Sequence, residues 1–203
     1  MQSIDICRGD ELPSIEEIDC VVIGGSTHHM DEEHIWLQNF STWLQSYRVT
    51  VKPLFGICGA HQLISTRLKK NKIAFREEGE LAGTYEVDLT MEGKIHPLFE
   101  GLPKKPRFHF ANYLNVLPVP GESGEILVTL GSSQSICADH GGNWYSCQFH
   151  PESSEDIWRC FYKDKPEFRN NYKKKHDGLK LLANFFNLAS KVSLTSFEVR
   201  DGN

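Results

Sequence analysis

The sequence of 203 residues contains no long apolar run and no excess of positive charge. Spanning a bilayer takes about 20 consecutive apolar residues, and no stretch of the sequence approaches that length. The N-terminus has no basic region followed by an apolar one, so no secretory signal is visible. Acidic residues outnumber basic ones by 27 to 22, which argues against binding nucleic acid through a basic face. We therefore expect a cytoplasmic protein that acts on neither a membrane nor nucleic acid.

The six cysteines form neither a CxxC pair nor a zinc-ligand cluster. Free, buried thiols are the usual interpretation of such cysteines in a cytosolic protein. His28, His29 and His34 lie close together, but no acidic or thiol ligand at matching spacing accompanies them. The sequence therefore predicts no metal site and no cofactor, and only Cys58 needs a different explanation.

Short apolar runs alternate with amphipathic stretches, which is typical of a parallel sheet covered by helices. Ser14 and Glu17 have the spacing of a capping box and predict a one-turn helix. Residues 84–149 are rich in strand signals, with a hairpin turn at 139–143, and predict an added antiparallel section. The expected fold is α/β, in one domain over 1–203. Strands are predicted at 4–7, 20–23 and 54–57, a final helix at 179–189, and a solvated loop, a lid or a partner-docking surface at 153–176.

Cys58 ends a buried strand and is followed at once by a segment with helical spacing. A sharp strand-to-helix turn of this kind exposes the side chain at the top of the sheet, as in a nucleophile elbow. The turn needs small neighbours, and Gly56, Gly59 and Ala60 surround Cys58. The helix N-terminus favours the thiolate, which is the reactive form. From this segment alone, a buried structural thiol remains the alternative.

A second segment with chemical potential lies at 148–152, at the end of another predicted strand. In extended chain, residues two apart project to the same side, so His150 and Glu152 lie near one another, and Pro151 prevents a helix. An imidazole held by a carboxylate beside a thiol is the arrangement of nucleophilic catalysis. His150 would accept and return the proton, and Glu152 would orient the imidazole.

The segments 56–62 and 148–152, with Gly24 and Gly25 after an earlier strand, resemble the class I (triad-type) glutamine amidotransferase family. The resemblance implies a three-layer α/β/α fold with a mostly parallel central sheet plus an antiparallel section. It also implies hydrolysis of the glutamine side-chain amide through a thioester on Cys58, with His150 as base and Glu152 as orienting carboxylate.

Carried over position by position, the resemblance places an oxyanion hole at the backbone N–H groups of Gly25 and Gly59. The positions that would hold the substrate are Gln62, Thr27, His109, Phe110 and Ala111. The sequence departs from the family pattern because Gly59 precedes Ala60 after the cysteine, an exchange that keeps both positions small. Family members also usually begin with a further strand and helix, which this sequence lacks. A sheet one strand short, another segment in the gap and a truncated chain are the alternatives.

Three functions remain open on these residues. The first is a glutaminase that acts on glutamine and supplies ammonia to a separate synthetase chain, because free ammonia is protonated in neutral water. The second is a γ-glutamyl hydrolase or peptidase, which uses the same triad on a γ-glutamyl substrate. The third is a non-catalytic regulatory subunit of the same fold, against which the intact Cys58, His150 and Glu152 argue.

Overall fold

The computed structural model describes residues 2–26 and 34–198 of the chain. Its strands are β1 (Val21–Ile23), β2 (Leu54–Ile57), β3 (Lys72–Phe75), β4 (Leu81–Glu86), β5 (Asp88–Leu89), β6 (Arg107–Asn112), β7 (Leu114–Leu117), β8 (Glu125–Leu130), β9 (Ser133–Asp139) and β10 (Trp144–Cys147). Its α-helices are α1 (Ile35–Val49), α2 (Gly59–Arg67), α3 (Met91–Ile95), α4 (Glu155–Phe161), α5 (Pro166–Arg169) and α6 (Gly178–Glu198). Short 3₁₀ helices lie at Ile6–Arg8, Ile15–Glu17 and Pro97–Phe99.

A six-stranded sheet forms the centre, in the order β1-β2-β10-β9-β8-β5. β2 pairs in parallel with β1 and β10, and the remaining pairs of this sheet are antiparallel. The predicted α/β fold, with a parallel section extended by antiparallel strands, is confirmed. β1 lies at the edge, and no strand of residues 2–26 and 34–198 pairs with its outer side.

Side chains of the central strands alternate between two cores, as the period of two in a strand requires. Leu54 and Trp144 pack in the cluster that includes α1 and α2. Phe55 and Tyr145 face the opposite side, in the cluster that includes Phe185 of α6. Helices therefore cover both faces of the sheet, and the three-layer arrangement implied by the resemblance is present.

The prediction of a strand at 4–7 is wrong, because this segment turns into a 3₁₀ helix. The Asp5 carboxylate accepts a hydrogen bond from the backbone N–H of Arg8, and Gly9 closes the turn at φ +96°. Such a local side-chain bond competes with strand pairing. The one-turn helix after Ser14 is confirmed as Ile15–Glu17. The hairpin turn at 139–143 is also confirmed, since β9 and β10 are antiparallel neighbours.

Residues 153–176, predicted as a solvated loop, a lid or a partner-docking surface, fold into α4 and α5 against the β4–β6 pair. Trp158 and Tyr162 are buried there with Ala82 of β4. The Glu80 carboxylate accepts hydrogen bonds from the Tyr162 hydroxyl at 2.8 Å and from the Lys165 ammonium at 2.7 Å. These aromatic and ionic contacts attach the segment to the domain, so it is not a solvated loop.

Candidate active site

Three segments with functional residues meet because β1, β2 and β10 are neighbouring parallel strands. Gly25 follows β1, Cys58 follows β2, and His150 lies beyond β10. The carboxyl ends of parallel strands lie at one edge of a sheet, where ligands commonly bind in α/β folds. The order of the strands thus brings together residues that are far apart in the sequence.

Cys58 occupies a strained turn between β2 and α2. Its backbone has φ +51° and ψ −103°, a conformation that residues other than glycine rarely adopt. Its backbone N–H donates to the carbonyl of Cys147 at 2.7 Å, which ties the turn to the end of β10. A Cβ on Gly56 would lie 2.7 Å from Ile64 of α2, so the strand and the helix approach too closely for a larger residue. Strain of this kind is concentrated at functional sites.

His150 lies between the carboxylate of Glu152 and the side chain of Cys58. Its Nδ1–H donates to Oε1 of Glu152 at 2.8 Å, and a Cβ on Gly25 would be close to both its ring and Sγ of Cys58. Burial works against the charged imidazolium, but the interactions with Cys58 and Glu152 outweigh it and raise the pKa of His150 to about 10. The backbone N–H of His150 donates to the carbonyl of His109 at 2.7 Å, which anchors the segment to β6. His150 therefore binds a proton strongly while it lies next to the thiol.

Gly25 and Gly59, the predicted oxyanion-hole residues, both lie close to neighbouring backbone or side-chain atoms. A Cβ on Gly25 would be 3.1 Å from Cε1 of His150 and 3.8 Å from Sγ of Cys58. A Cβ on Gly59 would be 3.0 Å from the backbone nitrogen of Ser26. Gly59 is the first residue of α2, where a backbone N–H has no acceptor within the helix. Neither position has room for a larger side chain, and the role of the two N–H groups as an oxyanion hole stays a prediction.

Two glutamine side chains complete the surroundings of the thiol. Nε2 of Gln62 donates to Oε1 of Gln148 at 3.1 Å, and Nε2 of Gln148 donates to Sγ of Cys58 at 3.4 Å. Both side chains are buried. The contact of Gln148 with the sulfur was not predicted, although its position in the motif, two residues before His150, was a signal for it.

The other predicted substrate residues have different surroundings. Thr27, like His28 and His29, lies outside the described residues. The Phe110 side chain packs in the core against Phe149, which leaves only its backbone available to a ligand. His109 is also buried, with its ring stacked on Tyr172 at 4.3 Å. Ala111 is half-buried next to α4 and α5. A role for these residues in binding stays a prediction.

No group of metal-ligating side chains occurs in the described part of the chain. Within residues 2–26 and 34–198, none of the helices has the length and apolar character needed to cross a membrane.

Comparison with known families places the chain in a defined class of protein. The model of the family "Glutamine amidotransferase class-I" matches residues 4–160. The chain therefore belongs to the class I glutamine amidotransferase family, as its motifs suggest. It is similar to imidazole glycerol phosphate synthase subunit HisH of Microcystis aeruginosa, with 27% identity over 160 residues. This match covers 71% of the chain and 65% of that relative, so the chain spans less than two thirds of the relative's length.

Solved structures of low sequence identity have the same fold. A glutamine amidotransferase from Thermotoga maritima superimposes with a TM-score of 0.78 at 20% identity, covering 92% of this chain and 84% of that one. A putative subunit of GMP synthase from Thermoplasma acidophilum gives a TM-score of 0.68 at 16% identity, covering 90% and 78%. At these identities, the likeness establishes the fold alone.

Proposed function

We propose that this chain is a glutaminase that hydrolyses the side-chain amide of glutamine through a thioester on Cys58 and delivers ammonia to a separate synthetase chain. The observation that carries the proposal is that Cys58, on a strained turn, lies beside His150, whose Nδ1–H donates to Glu152. Membership of the class I family supports the choice of glutamine as the substrate.

In the first half of the reaction, the thiol proton passes to His150 before Sγ of Cys58 attacks the amide carbon of glutamine. The carbonyl oxygen becomes an oxyanion between the backbone N–H groups of Gly25 and Gly59. Donors placed for such a charge typically contribute about 10²–10³ in rate. When the intermediate collapses, the carbon–nitrogen bond breaks, and His150 gives its proton to the leaving nitrogen. Ammonia is released and a γ-glutamyl thioester remains.

In the second half, His150 removes a proton from water, and the resulting hydroxide attacks the thioester carbon. The carbon–sulfur bond breaks, glutamate leaves, and the proton returns to Cys58. Glu152 holds Nδ1–H of His150 throughout, so that Nε2 is the atom that exchanges protons with the reactants. His150 is half-buried and Glu152 is exposed, and the hydrogen bond between them stabilises the imidazolium.

A role for Gln62 in holding the substrate is part of the proposal. Nε2 of Gln62 donates to Gln148, so Oε1 of Gln62 is not used in that contact. An amide oxygen is a suitable acceptor for the α-ammonium group of free glutamine. This supports the assignment of Gln62 as a substrate-binding residue.

A partner chain follows from the chemistry of the product. Ammonia that escapes into neutral water becomes ammonium and ceases to be a nucleophile, so an amidotransferase passes it directly to a synthetase. A relative that is named as a subunit of imidazole glycerol phosphate synthase supports the same arrangement for this chain.

A glutamine-like electrophile tests the proposal without the partner. Cys58 is only 8% exposed, whereas Cys7 and Cys160 are exposed free thiols and serve as internal controls. Mass spectrometry is expected to find the adduct on Cys58 and not on the controls, with labelling slowed by added glutamine. Labelling of Cys7 and Cys160 with Cys58 unmodified would favour the non-catalytic regulatory role.

Substitution of the triad tests the assigned roles. Cys58→Ala is expected to abolish ammonia release from glutamine, whereas Glu152→Ala should leave a residual rate about 10³- to 10⁴-fold below normal, since nucleophile and base remain. Equal and complete loss in both folded variants would contradict these roles. Turnover of γ-glutamyl conjugates without turnover of glutamine would instead support the hydrolase or peptidase.

A further inference from the structure

The side chain of Gln148 makes a polar contact with the nucleophile. Its Nε2 lies 3.4 Å from Sγ of Cys58. The residue is 1% exposed, so water does not compete for this bond. A buried side-chain amide without a partner would cost about 1–3 kcal/mol, and here the sulfur is the partner.

The direction of this amide agrees with its other contact. The oxygen of Gln148 faces Nε2 of Gln62 at 3.1 Å, and the nitrogen of Gln148 faces Sγ of Cys58. A thiolate at this position favours the same direction, because it attracts the N–H and repels the oxygen. A donor stabilises a thiolate more than a neutral thiol, because bonds to charged groups are about twice as strong.

Backbone contacts hold Gln148 in this position from both sides. Its own N–H donates to the carbonyl of Ile136 in β9 at 2.8 Å. The residue before it, Cys147, accepts the N–H of Cys58 at 2.7 Å. The donor and the sulfur are thus attached to the same two strand ends, and their separation does not depend on a flexible loop.

We propose that Gln148 is a catalytic residue that donates a hydrogen bond to the Cys58 sulfur, and that Gln62 is the positioning residue that orients it. This inference rests on the proposed function and adds a second group, besides His150, that acts on the nucleophile. The bond stabilises negative charge on sulfur before attack. It also supports the sulfur when the thioester is hydrolysed and the sulfur leaves as a thiolate.

The rate at which iodoacetamide alkylates Cys58 tests this without substrate or partner. Gln148→Met matches the length of the side chain and removes the donor, and we expect it to slow alkylation about tenfold at neutral pH. Gln148→Asn keeps an amide but shortens its reach by one methylene, so it should slow alkylation similarly and guards against a failure of the first variant to fold. Thermal unfolding confirms that each variant is folded.

Ser146→Ala is the matched control. Ser146 is buried in β10, two residues before Gln148, and its hydroxyl bonds His61 and His140 rather than Cys58. It should lower stability and leave the alkylation rate within about twofold of normal. A normal rate in both Gln148 variants, or equal slowing in Ser146→Ala, would overturn the inference. Failure of the proposed function would look different, because the unsubstituted protein would react with iodoacetamide but not with the glutamine-like electrophile.

Discussion

Two buried histidines that share one serine predict how acid destabilises this fold. Ser146 accepts a hydrogen bond from Nε2–H of His140 at 2.6 Å and donates to Nδ1 of His61 at 2.7 Å. Nε2 of His61 lies 3.0 Å from the carbonyl oxygen of Ser135, so this nitrogen carries the proton. The network therefore requires a neutral His61, and Nδ1 of His140 is buried without a partner among the described residues, so a proton added there would be buried and unpaired. The network joins α2, which begins directly after Cys58, to β9 and β10.

The pKa values quantify this requirement. Burial lowers the pKa of His61 to about 4, and burial with nearby positive groups lowers the pKa of His140 to about 3. The unfolded chain binds more protons than the folded one between these values and about 6.5, so stability falls as the pH falls through that window. At about pH 5, linkage gives a loss of about 2 kcal/mol for each histidine relative to about pH 8.

His61→Gln isolates the contribution of one histidine. Glutamine can still donate to the carbonyl of Ser135, but it does not titrate. We expect the variant to be less stable than the normal protein by about 1–3 kcal/mol at about pH 8, because a buried hydrogen bond is lost. Since the variant lacks the acid-induced loss, the gap should shrink by about 2 kcal/mol at about pH 5.

Urea unfolding at these two pH values, followed by tryptophan fluorescence, measures both free energies. Taking the difference between the two proteins removes the opposite pH dependence of His150, whose raised pKa adds stability as the pH falls. A gap that stays constant within about 0.5 kcal/mol between the two pH values would refute the reasoning.

Two glycine substitutions test the close approaches at the site. In Gly25→Ala, the new Cβ would lie 3.1 Å from Cε1 of His150 and 3.3 Å from Cβ of Cys58, so we expect kcat/KM for glutamine to fall about 10- to 100-fold with little change in melting temperature. Unchanged kinetics would show that the two segments are farther apart than described. In Gly178→Ala, the Cβ would lie 2.7 Å from Cα of Pro151, and the backbone must shift at a cost of about 1–3 kcal/mol. Calorimetry should detect the lower stability. Ammonia release from glutamine should also be slower, because Pro151 lies between His150 and Glu152. A normal melting temperature would contradict the crowding.

The motif residues could be identified because their signals are local. The turn at Cys58 follows from an apolar strand that runs directly into small residues, and the His150–Glu152 bond joins side chains two positions apart in an extended segment. The alternation of two cores along β2 and β10 is likewise a period that can be read within one strand. Such patterns were sufficient for the α/β fold and for the candidate triad.

The folded segment at 153–176 depends on partners that are distant in the sequence. β6 pairs with β4, and Trp158 of the segment is buried in a cluster that includes Ala82 of β4. The prediction of a strand at 4–7 was wrong for the converse reason, because the Asp5 carboxylate accepts a local hydrogen bond from the backbone N–H of Arg8. Contacts between distant segments override strand propensity, and a short window of sequence does not contain them.

The sequence alone determined which residues carry reactive groups and that each follows a strand. Only the tertiary structure decided that the amide of Gln148 meets the sulfur of Cys58, or that Ser146 bridges His61 and His140. These contacts join residues up to 90 positions apart, and they exist because β10 pairs with β2 in one register, Ser146 opposite Gly56. A shift by one residue would turn each side chain to the other face of the sheet, which is why the register decides them.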